Sequence, residues 1–165
     1  MSRLSMLPQM LVRLSFTVLI VCCCLIFSWP SYASVQQQVE MPGQVLYQSR
    51  QSIRDSQGQT WQVILFKRVK DGEVKQVNLQ LSGYPDQNVF QHPADLQILS
   101  GDRLPFLAPD QFATEAPAPN IGQFNLSEIL PLLPTNNTIQ LDLPLDNPVT
   151  IEIPIAVLLE WQLIM

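Results

Sequence analysis

The amino-acid sequence predicts an all-β domain, in which an antiparallel meander and a closing C-terminal hairpin form a small sandwich or open barrel. Three observations lead to this prediction. Residues 44–83 alternate between apolar and polar side chains in three runs separated by turn residues, residues 138–164 alternate in the same way, and residues 104–134 hold six prolines. Alternation with a period of two is typical of half-buried strands, and dense prolines exclude a long helix.

The meander is predicted to consist of three strands. Residues 55–58 (Asp-Ser-Gln-Gly) form a turn signal between the first two strands, and Asp71-Gly72 is the strongest hairpin signal in the chain. Residues 63–66 (Val-Ile-Leu-Phe) are apolar on both faces of an extended chain. Such a run indicates a strand that is covered on both sides, so the second strand is expected in the middle of a sheet.

The middle of the chain is predicted to be irregular apart from one short strand at Leu96–Leu99. Residues 104–134 are predicted to form a proline-rich loop that contains one short helix. The helix is expected to begin near Asn125, because Asn-Leu-Ser-Glu has capping spacing, and to end before Pro131. Its apolar side chains are expected to cap an open end of the sheet. They also make this segment the predicted contact surface for a partner: Phe124, Leu126, Ile129, Leu130, Leu132 and Leu133.

The last segment has the most regular pattern of the chain. Every second residue from Ile151 to Met165 is apolar, which predicts a strand over residues 149–164 that pairs with residues 138–144 as the closing hairpin. Taken alone, residues 156–165 are also compatible with a helix. Glu160 interrupts the apolar surface of such a helix, and proline suits an edge strand, so the strand is the preferred interpretation.

Residues 1–33 predict an export signal that is cleaved after Ala33. Arg3 and Arg13 supply a positively charged start, and residues 14–27 form an apolar core. The last three residues of the segment, Ser-Tyr-Ala, place small side chains at the positions that a signal peptidase recognises. Residues 34–165 are then expected to fold as a single domain in the bacterial periplasm or the thylakoid lumen.

Two other fates of the N-terminal segment stay open. An uncleaved membrane anchor needs about 20 apolar residues, and residues 11–27 fall just short of that length. Lipid attachment at Cys22 is the second alternative, although a lipidated cysteine normally follows a small residue at the end of the apolar run. All three cysteines of the chain, residues 22–24, lie within this run.

The composition of the chain after residue 33 excludes several classes of function. It contains no cysteine, which rules out thiol catalysis and cysteine-based metal sites. Without Arg3 and Arg13 the formal net charge of the whole chain, −5, becomes −7. An acidic domain repels phosphate backbones, so no nucleic-acid partner is expected. A basic cluster at residues 67–75 most simply forms the solvated end of a hairpin.

His92 is the only histidine and the only candidate for catalysis or transition-metal binding. Asp95, three residues later, would polarise it as a general base. Nucleophilic catalysis also needs a positioned serine, and the Gly-x-Ser-x-Gly pattern is missing from the sequence. The preferred interpretation is a loop histidine with a local hydrogen bond. We predict no catalytic, cofactor-binding or metal-binding residues.

With its export signal, meander, proline-rich middle and the ending at residues 153–161, the chain resembles a small family of uncharacterised exported proteins from cyanobacteria. The resemblance covers most of the chain after residue 33, notably residues 61–81 and 92–106 and the Glu160-Trp161 end. It implies an exported location and carries no functional residues.

The function predicted from these observations is that of a non-enzymatic accessory domain that acts through contacts with another protein, including a membrane-associated one. Two alternative functions stay open. A lipocalin-like carrier of a small apolar ligand requires a pocket lined by Trp61, Phe66 and Trp161. A hydrolase requires a serine or carboxylate within about 3 Å of the His92 ring.

Overall fold

The computed structural model describes residues 35–101 and 104–165, so the predicted export signal and its cysteines lie outside the described residues. The described residues belong to one compact unit, Ala33–Met165. No helix within them is long and apolar enough to cross a membrane. The strands are β1 (Gln36–Met41), β2 (Gln44–Arg54), β3 (Thr60–Lys70), β4 (Glu73–Ser82), β5 (Leu96–Leu99), β6 (Phe106–Ala108), β7 (Ile121–Asn125), β8 (Ile139–Leu143) and β9 (Val149–Ile153). A 3₁₀ turn (Leu130–Leu132) precedes β8, and helix α1 (Ile155–Gln162) follows β9.

The first sheet has five antiparallel strands in the order β1-β2-β3-β4-β7. The predicted meander is confirmed as β2, β3 and β4, and β3 lies in the middle as its two-sided apolar pattern indicated. The sequence analysis missed β1, which is mostly exposed and lacks apolar alternation. Asp71 and Gly72 form the predicted hairpin turn with φ angles of 54° and 80°. Positive φ at both central residues is the geometry that Asp-Gly favours.

The second sheet has four antiparallel strands in the order β6-β5-β8-β9 and packs on the first. Alternate residues of β5, β8 and β9 face inward and pack against the inner face of the first sheet. The sandwich core formed in this way contains Trp61, Val63, Leu65, Leu79, Leu81, Phe124, Leu96, Ile98, Ile139, Leu141, Ile151 and Ile153. The all-β prediction is therefore confirmed, and of its two forms the structure is a small sandwich.

The two sheets are joined at two corners. After β6 the chain crosses to the first sheet, where the Asn125 backbone N–H donates to the Pro109 carbonyl and that of Gln111 donates to the Gln123 carbonyl. At the other corner the Ser56 backbone N–H donates to the Thr150 carbonyl of β9. These bonds cover two sheet edges that would otherwise present unpaired backbone groups.

The proline-rich segment is more ordered than predicted. Residues 104–134 include β6 and β7 as well as the short helical turn. β6 has three residues and ends at Ala108, because the next residue, Pro109, cannot donate to a ladder. The Asn125 side chain accepts a hydrogen bond from the Ser127 backbone N–H, and a single 3₁₀ turn follows around Pro131.

The prediction of a strand over residues 149–164 is wrong beyond Ile153. The chain leaves the sheet at Pro154, which caps the N-terminus of α1 in an extended conformation. Residues Val157, Leu158, Trp161 and Ile164 are buried, a helical spacing that the period-two pattern concealed. Glu160, the residue used to argue against a helix, lies on the buried side, and its Oε2 accepts a hydrogen bond from Gln51 Nε2 at 2.9 Å.

Glu40 and Arg68 form an ion pair that links β1 to β3 across the intervening strand β2. Arg68 Nε donates to Glu40 Oε2 at 2.9 Å and its Nη2 donates to Oε1 at 3.3 Å. The hydrogen bond from the Arg68 guanidinium, followed by one from the Gln44 amide, holds the pKa of the Glu40 carboxyl below its usual value of 4.5. Because the pKa of Glu40 is lower in the folded than in the unfolded state, its ionised carboxylate stabilises the fold at a pH above the unfolded-state pKa. This contribution to stability is lost as the pH falls through the folded-state pKa.

We therefore expect Glu40→Gln to lower the urea midpoint slightly at neutral pH and to have no effect at a pH well below 4.5. Urea unfolding of both proteins across this pH range measures the difference. In an Arg68→Gln background the difference should lose most of its pH dependence, because the main cause of the lowered pKa is gone. A difference that grows as the pH falls would contradict the assignment.

Gly122 lies where β7 passes under the Phe90 ring. A methyl group at this position would stand 2.7 Å from Phe90 Cε1 and 2.8 Å from Cδ1. We expect Gly122→Ala to lower the free energy of unfolding by about 1–3 kcal/mol, the usual cost of overpacking a core. Urea unfolding measures this loss, and adding Phe90→Leu should restore part of it. An unchanged midpoint for Gly122→Ala would show that the ring moves aside freely.

Candidate functional site

The structure places five of the six predicted contact residues inside the chain's own core. Phe124, Leu126, Ile129, Leu130 and Leu133 are at most 8% exposed, whereas Leu132 is 58% exposed. The 3₁₀ turn folds back on the sheet because the Leu126 backbone N–H donates to the Val77 carbonyl. These five buried side chains are part of the sandwich core. Of the predicted contact surface, Leu132 is the residue that faces solvent.

A second set of exposed apolar residues lies on α1, which contacts the 3₁₀ turn. Ile155, Leu159 and Leu163 are 37%, 51% and 76% exposed, and their spacing of four residues places them along one side of the helix. Met165, at the end of the chain, is also exposed. We call Leu132, Ile155, Leu159, Leu163 and Met165 the α1 surface. The sequence analysis missed it, because the segment was assigned to a strand.

The inner side of α1 fixes the orientation of the α1 surface. Val157, Leu158 and Trp161 pack into the core, and Gln51 of β2 donates to Glu160 on the same side. Lys67 Nζ donates to the backbone carbonyl of Met165 at 2.6 Å, which anchors the end of the chain beside β3. The five side chains of the α1 surface are all apolar, on a chain that is acidic as a whole, and the Lys67 ammonium borders them at Met165.

His92 has an acidic partner that the sequence did not identify. His92 Nδ1 lies 2.6 Å from Asp110 Oδ2, and the Asp110 side chain is only 2% exposed. The predicted partner, Asp95, instead accepts a hydrogen bond from the Asp110 backbone N–H at 3.3 Å. Asp110 Oδ1 accepts another from the Phe112 backbone N–H at 2.9 Å, so its carboxylate ties the loop before β5 to the proline-rich segment.

The geometry around His92 satisfies one requirement of a general base, since a carboxylate holds Nδ1. The other ring nitrogen, Nε2, is buried and has no hydrogen-bond partner among the described residues. The ring lies between Phe90 and Phe112, at centroid distances of 6.4 and 6.5 Å. The Asp110 carboxylate meets the distance that the hydrolase alternative requires, whereas no serine is hydrogen-bonded to the ring among these residues. The His92–Asp110 pair also connects two loops.

Three surface clefts have volumes of about 200, 240 and 280 Å³. None of the three is lined by the residues of the predicted carrier pocket, Trp61, Phe66 and Trp161. Trp61 and Trp161 are fully enclosed by other side chains of the core. Within residues 35–101 and 104–165 no group of three or more histidine, cysteine, aspartate or glutamate side chains is arranged to hold a metal ion.

A protein-family model described as "Protein of unknown function (DUF3122)" matches residues 33–164. The matched region begins one residue before the predicted start of the cleaved chain and includes all the described strands and α1. No curated protein and no solved structure matches the chain.

Proposed function

The chain belongs to this family of proteins of unknown function, and we propose that it is an exported, non-enzymatic accessory domain that binds another protein. The α1 surface is the observation that carries the proposal. Soluble monomers rarely leave a contiguous row of large apolar side chains in water, and such rows mark interaction sites. A helix with apolar residues four positions apart suits a hydrophobic groove on a partner protein.

The packing of the core supports protein binding over the carrier alternative. A carrier needs an internal cavity, and the aromatic side chains predicted to line one, Trp61 and Trp161, are packed against other core residues. The three clefts are open at the surface and small beside the usual ligand pocket of about 300–1,000 Å³.

The proposed location is the bacterial periplasm or the thylakoid lumen. The supporting features are the positively charged start, the apolar core and the small residues at the end of residues 1–33. We expect the chain recovered from its native cells to begin at Ser34. Intact-mass measurement and N-terminal sequencing test this expectation. A chain that still begins at Met1 and sediments with membranes would favour the anchored alternative, and added acyl mass on Cys22 would favour the lipidated one.

Partner binding is tested by changing the α1 surface without changing the core. The double variant Leu159→Glu/Leu163→Glu alters two exposed side chains, so its melting temperature should stay close to that of the wild type. We expect the tagged wild-type chain, recovered from native cells, to carry a partner protein in a fixed molar ratio. The double variant should lose at least 90% of that partner, because two carboxylates would have to be buried in the interface.

The matched control is Leu104→Glu, which places one glutamate on another exposed leucine, in the proline-rich segment before β6. This variant should retain the partner. Equal recovery of the partner by the α1 double variant and by the control would refute the α1 surface as the binding site. An apolar small molecule recovered in a fixed ratio with the purified chain, without any protein, would instead favour the carrier.

A further inference from the structure

β1 leaves one edge of the five-stranded sheet without a neighbouring strand among the described residues. Five of its six side chains are exposed. The outer edges of β7 and β9 are covered by residues 109–111 and 55–56, and β6, the other terminal strand, has only three residues. An uncovered edge presents backbone N–H and C=O groups that can pair with a further strand.

The composition of β1 does not protect this edge. Natural sheet edges are commonly blocked by lysine, by proline or by unpaired charges. β1 contains three consecutive glutamines at positions 36–38, followed by Val39, and has no lysine or proline. Its only charged side chain, Glu40, is already paired with Arg68 of β3. In a chain with many unpaired carboxylates, this edge allows close approach of another strand with little electrostatic repulsion.

We propose that β1 pairs in antiparallel orientation with β1 of a second copy of the chain, which joins two five-stranded sheets into one continuous sheet of ten strands. A twofold axis requires the same surface on both partners, and a strand whose one charged side chain is already paired within its own chain does not repel its copy. The axis is placed at Gln38, near the middle of β1 and before the irregularity between Val39 and Met41. Each Gln38 then faces its own copy, and each Gln37 faces Val39.

Glutamine side chains already form cross-strand hydrogen bonds in this sheet. Gln48 Nε2 of β2 donates to Gln36 Oε1 of β1 at 3.2 Å. In the proposed register Gln38 meets Gln38 of the second copy, and primary amides pair well because each has both a donor and an acceptor. A Gln38–Gln38 contact across the new strand pair is thus of the same kind as the Gln48–Gln36 contact that already joins β2 to β1.

The contact is small, so the dimer is expected to be weak. Pairing two six-residue strands buries less than about 1,200 Å² in total, the range of transient complexes, and we expect a dissociation constant of roughly 10–100 μM. Two copies with net negative charge also repel each other over the Debye length. Dimerisation is therefore expected to strengthen as the salt concentration rises.

Sedimentation equilibrium of the chain purified after export measures the dissociation constant. The variant Gln37→Lys/Val39→Lys places lysines opposite each other across the axis, and we expect at least a tenfold weaker dimer. The matched control is Val74→Lys, which adds a lysine at an exposed position of β4 and should dimerise as the wild type does. A wild type that stays monomeric up to about 1 mM, a concentration well above that of transient dimers, would overturn the proposal. A dimer that the lysine pair does not weaken would overturn it as well.

A cysteine placed on the axis reports the register. Residues 34–165 contain no cysteine, so only the introduced thiol reacts, provided that residues 22–24 are removed or changed to serine. Directly opposed residues of antiparallel strands have Cα atoms about 4.5–5.5 Å apart, which suits a disulfide. We expect Gln38→Cys to give a covalent dimer on mild oxidation and Val74→Cys to give little.

Equal cross-linking of the two cysteine variants would overturn the proposed pairing, and so would a mixed disulfide of Gln38→Cys with another protein. A dimer that is lost in Leu159→Glu/Leu163→Glu but kept in Gln37→Lys/Val39→Lys would move the contact to the α1 surface. The β1 proposal and the partner-binding proposal therefore fail on different variants.

Discussion

Replacement of Asp55 with alanine is expected to lower the free energy of unfolding by about 3–5 kcal/mol. The buried Asp55 carboxylate serves three donors at once. Its Oδ1 accepts hydrogen bonds from the backbone N–H groups of Gln57 and Gln59 at 2.8 and 2.9 Å, and its Oδ2 accepts one from Trp61 Nε1 at 2.8 Å. The alanine variant leaves the buried Trp61 N–H and the half-buried Gln59 N–H without an acceptor, at about 1–3 kcal/mol each, whereas the N–H of the exposed Gln57 can bond to water.

Asp55 stabilises both the turn in which it lies and the contact between the two sheets. The turn between β2 and β3 closes on its Oδ1, while its backbone forms a bridge to Ile151 of β9, where the two sheets meet. Loss of the carboxylate is therefore expected to loosen the turn and the corner together.

Urea unfolding of Asp55→Ala, Trp61→Phe and the double variant forms a cycle that isolates the contribution of the indole hydrogen bond. We expect the coupling between the two sites to be about 1–2 kcal/mol. Glu115→Ala, which removes an exposed carboxylate from the proline-rich segment, is the matched control and should change stability by less than about 0.5 kcal/mol. A loss of less than about 1 kcal/mol in Asp55→Ala would show that the turn satisfies its donors in another way.

Removal of residues 154–165 is expected to abolish cooperative folding. The deletion takes away four buried apolar side chains of the α1 segment, Val157, Leu158, Trp161 and Ile164. At about 1.5–3 kcal/mol for each buried side chain, the loss is about 6–12 kcal/mol, which is comparable to the whole stability of a domain of this size. The deletion also exposes the apolar faces of β2 and the 3₁₀ turn against which α1 packs.

Circular dichroism and one-dimensional NMR of the truncated chain test this expectation. We expect dispersed methyl signals to be lost and no sigmoidal thermal transition. Leu159→Gln/Leu163→Gln is the matched control, because it changes the same helix on its exposed side and should keep the wild-type transition. A truncated chain that unfolds cooperatively near the wild-type temperature would show that α1 is an appendage to the sandwich.

Together, the truncation and the surface variants separate two roles of one helix. The inner side of α1 closes the core, and the outer side is the proposed partner surface. A substitution on the inner side should reduce partner binding only through loss of folding. A substitution on the outer side should reduce partner binding in a chain that is fully folded.

Much of the fold follows from short-range pattern. β2, β3 and β4 are visible in the sequence because alternation and turn residues act over a few positions, as at Asp71-Gly72. β8 follows for the same reason, and so does the part of the predicted final strand that forms β9. β1, β6 and β7 carried no such signal, since none of the three strands has a regular apolar face. They are strands because of the neighbours with which they pair.

The C-terminal segment shows where pattern alone is ambiguous. The apolar residues after Ile153 are so dense that they satisfy a period of two and a helical period equally well. The choice depends on contacts distant in sequence: β2 supplies Gln51 for Glu160, and the core supplies a site for Trp161. The α1 surface was missed for this reason.

The chain by itself determined an all-β, cysteine-free and acidic domain with a central meander, because composition, alternation and turn chemistry are properties of neighbouring residues. Only the tertiary structure decided that the predicted contact residues around Leu130 are core and that Leu159 and Leu163 are surface. It also decided that His92 pairs with Asp110 instead of Asp95. Burial and partner choice depend on which distant segments meet, and that outcome is a property of the packed sandwich.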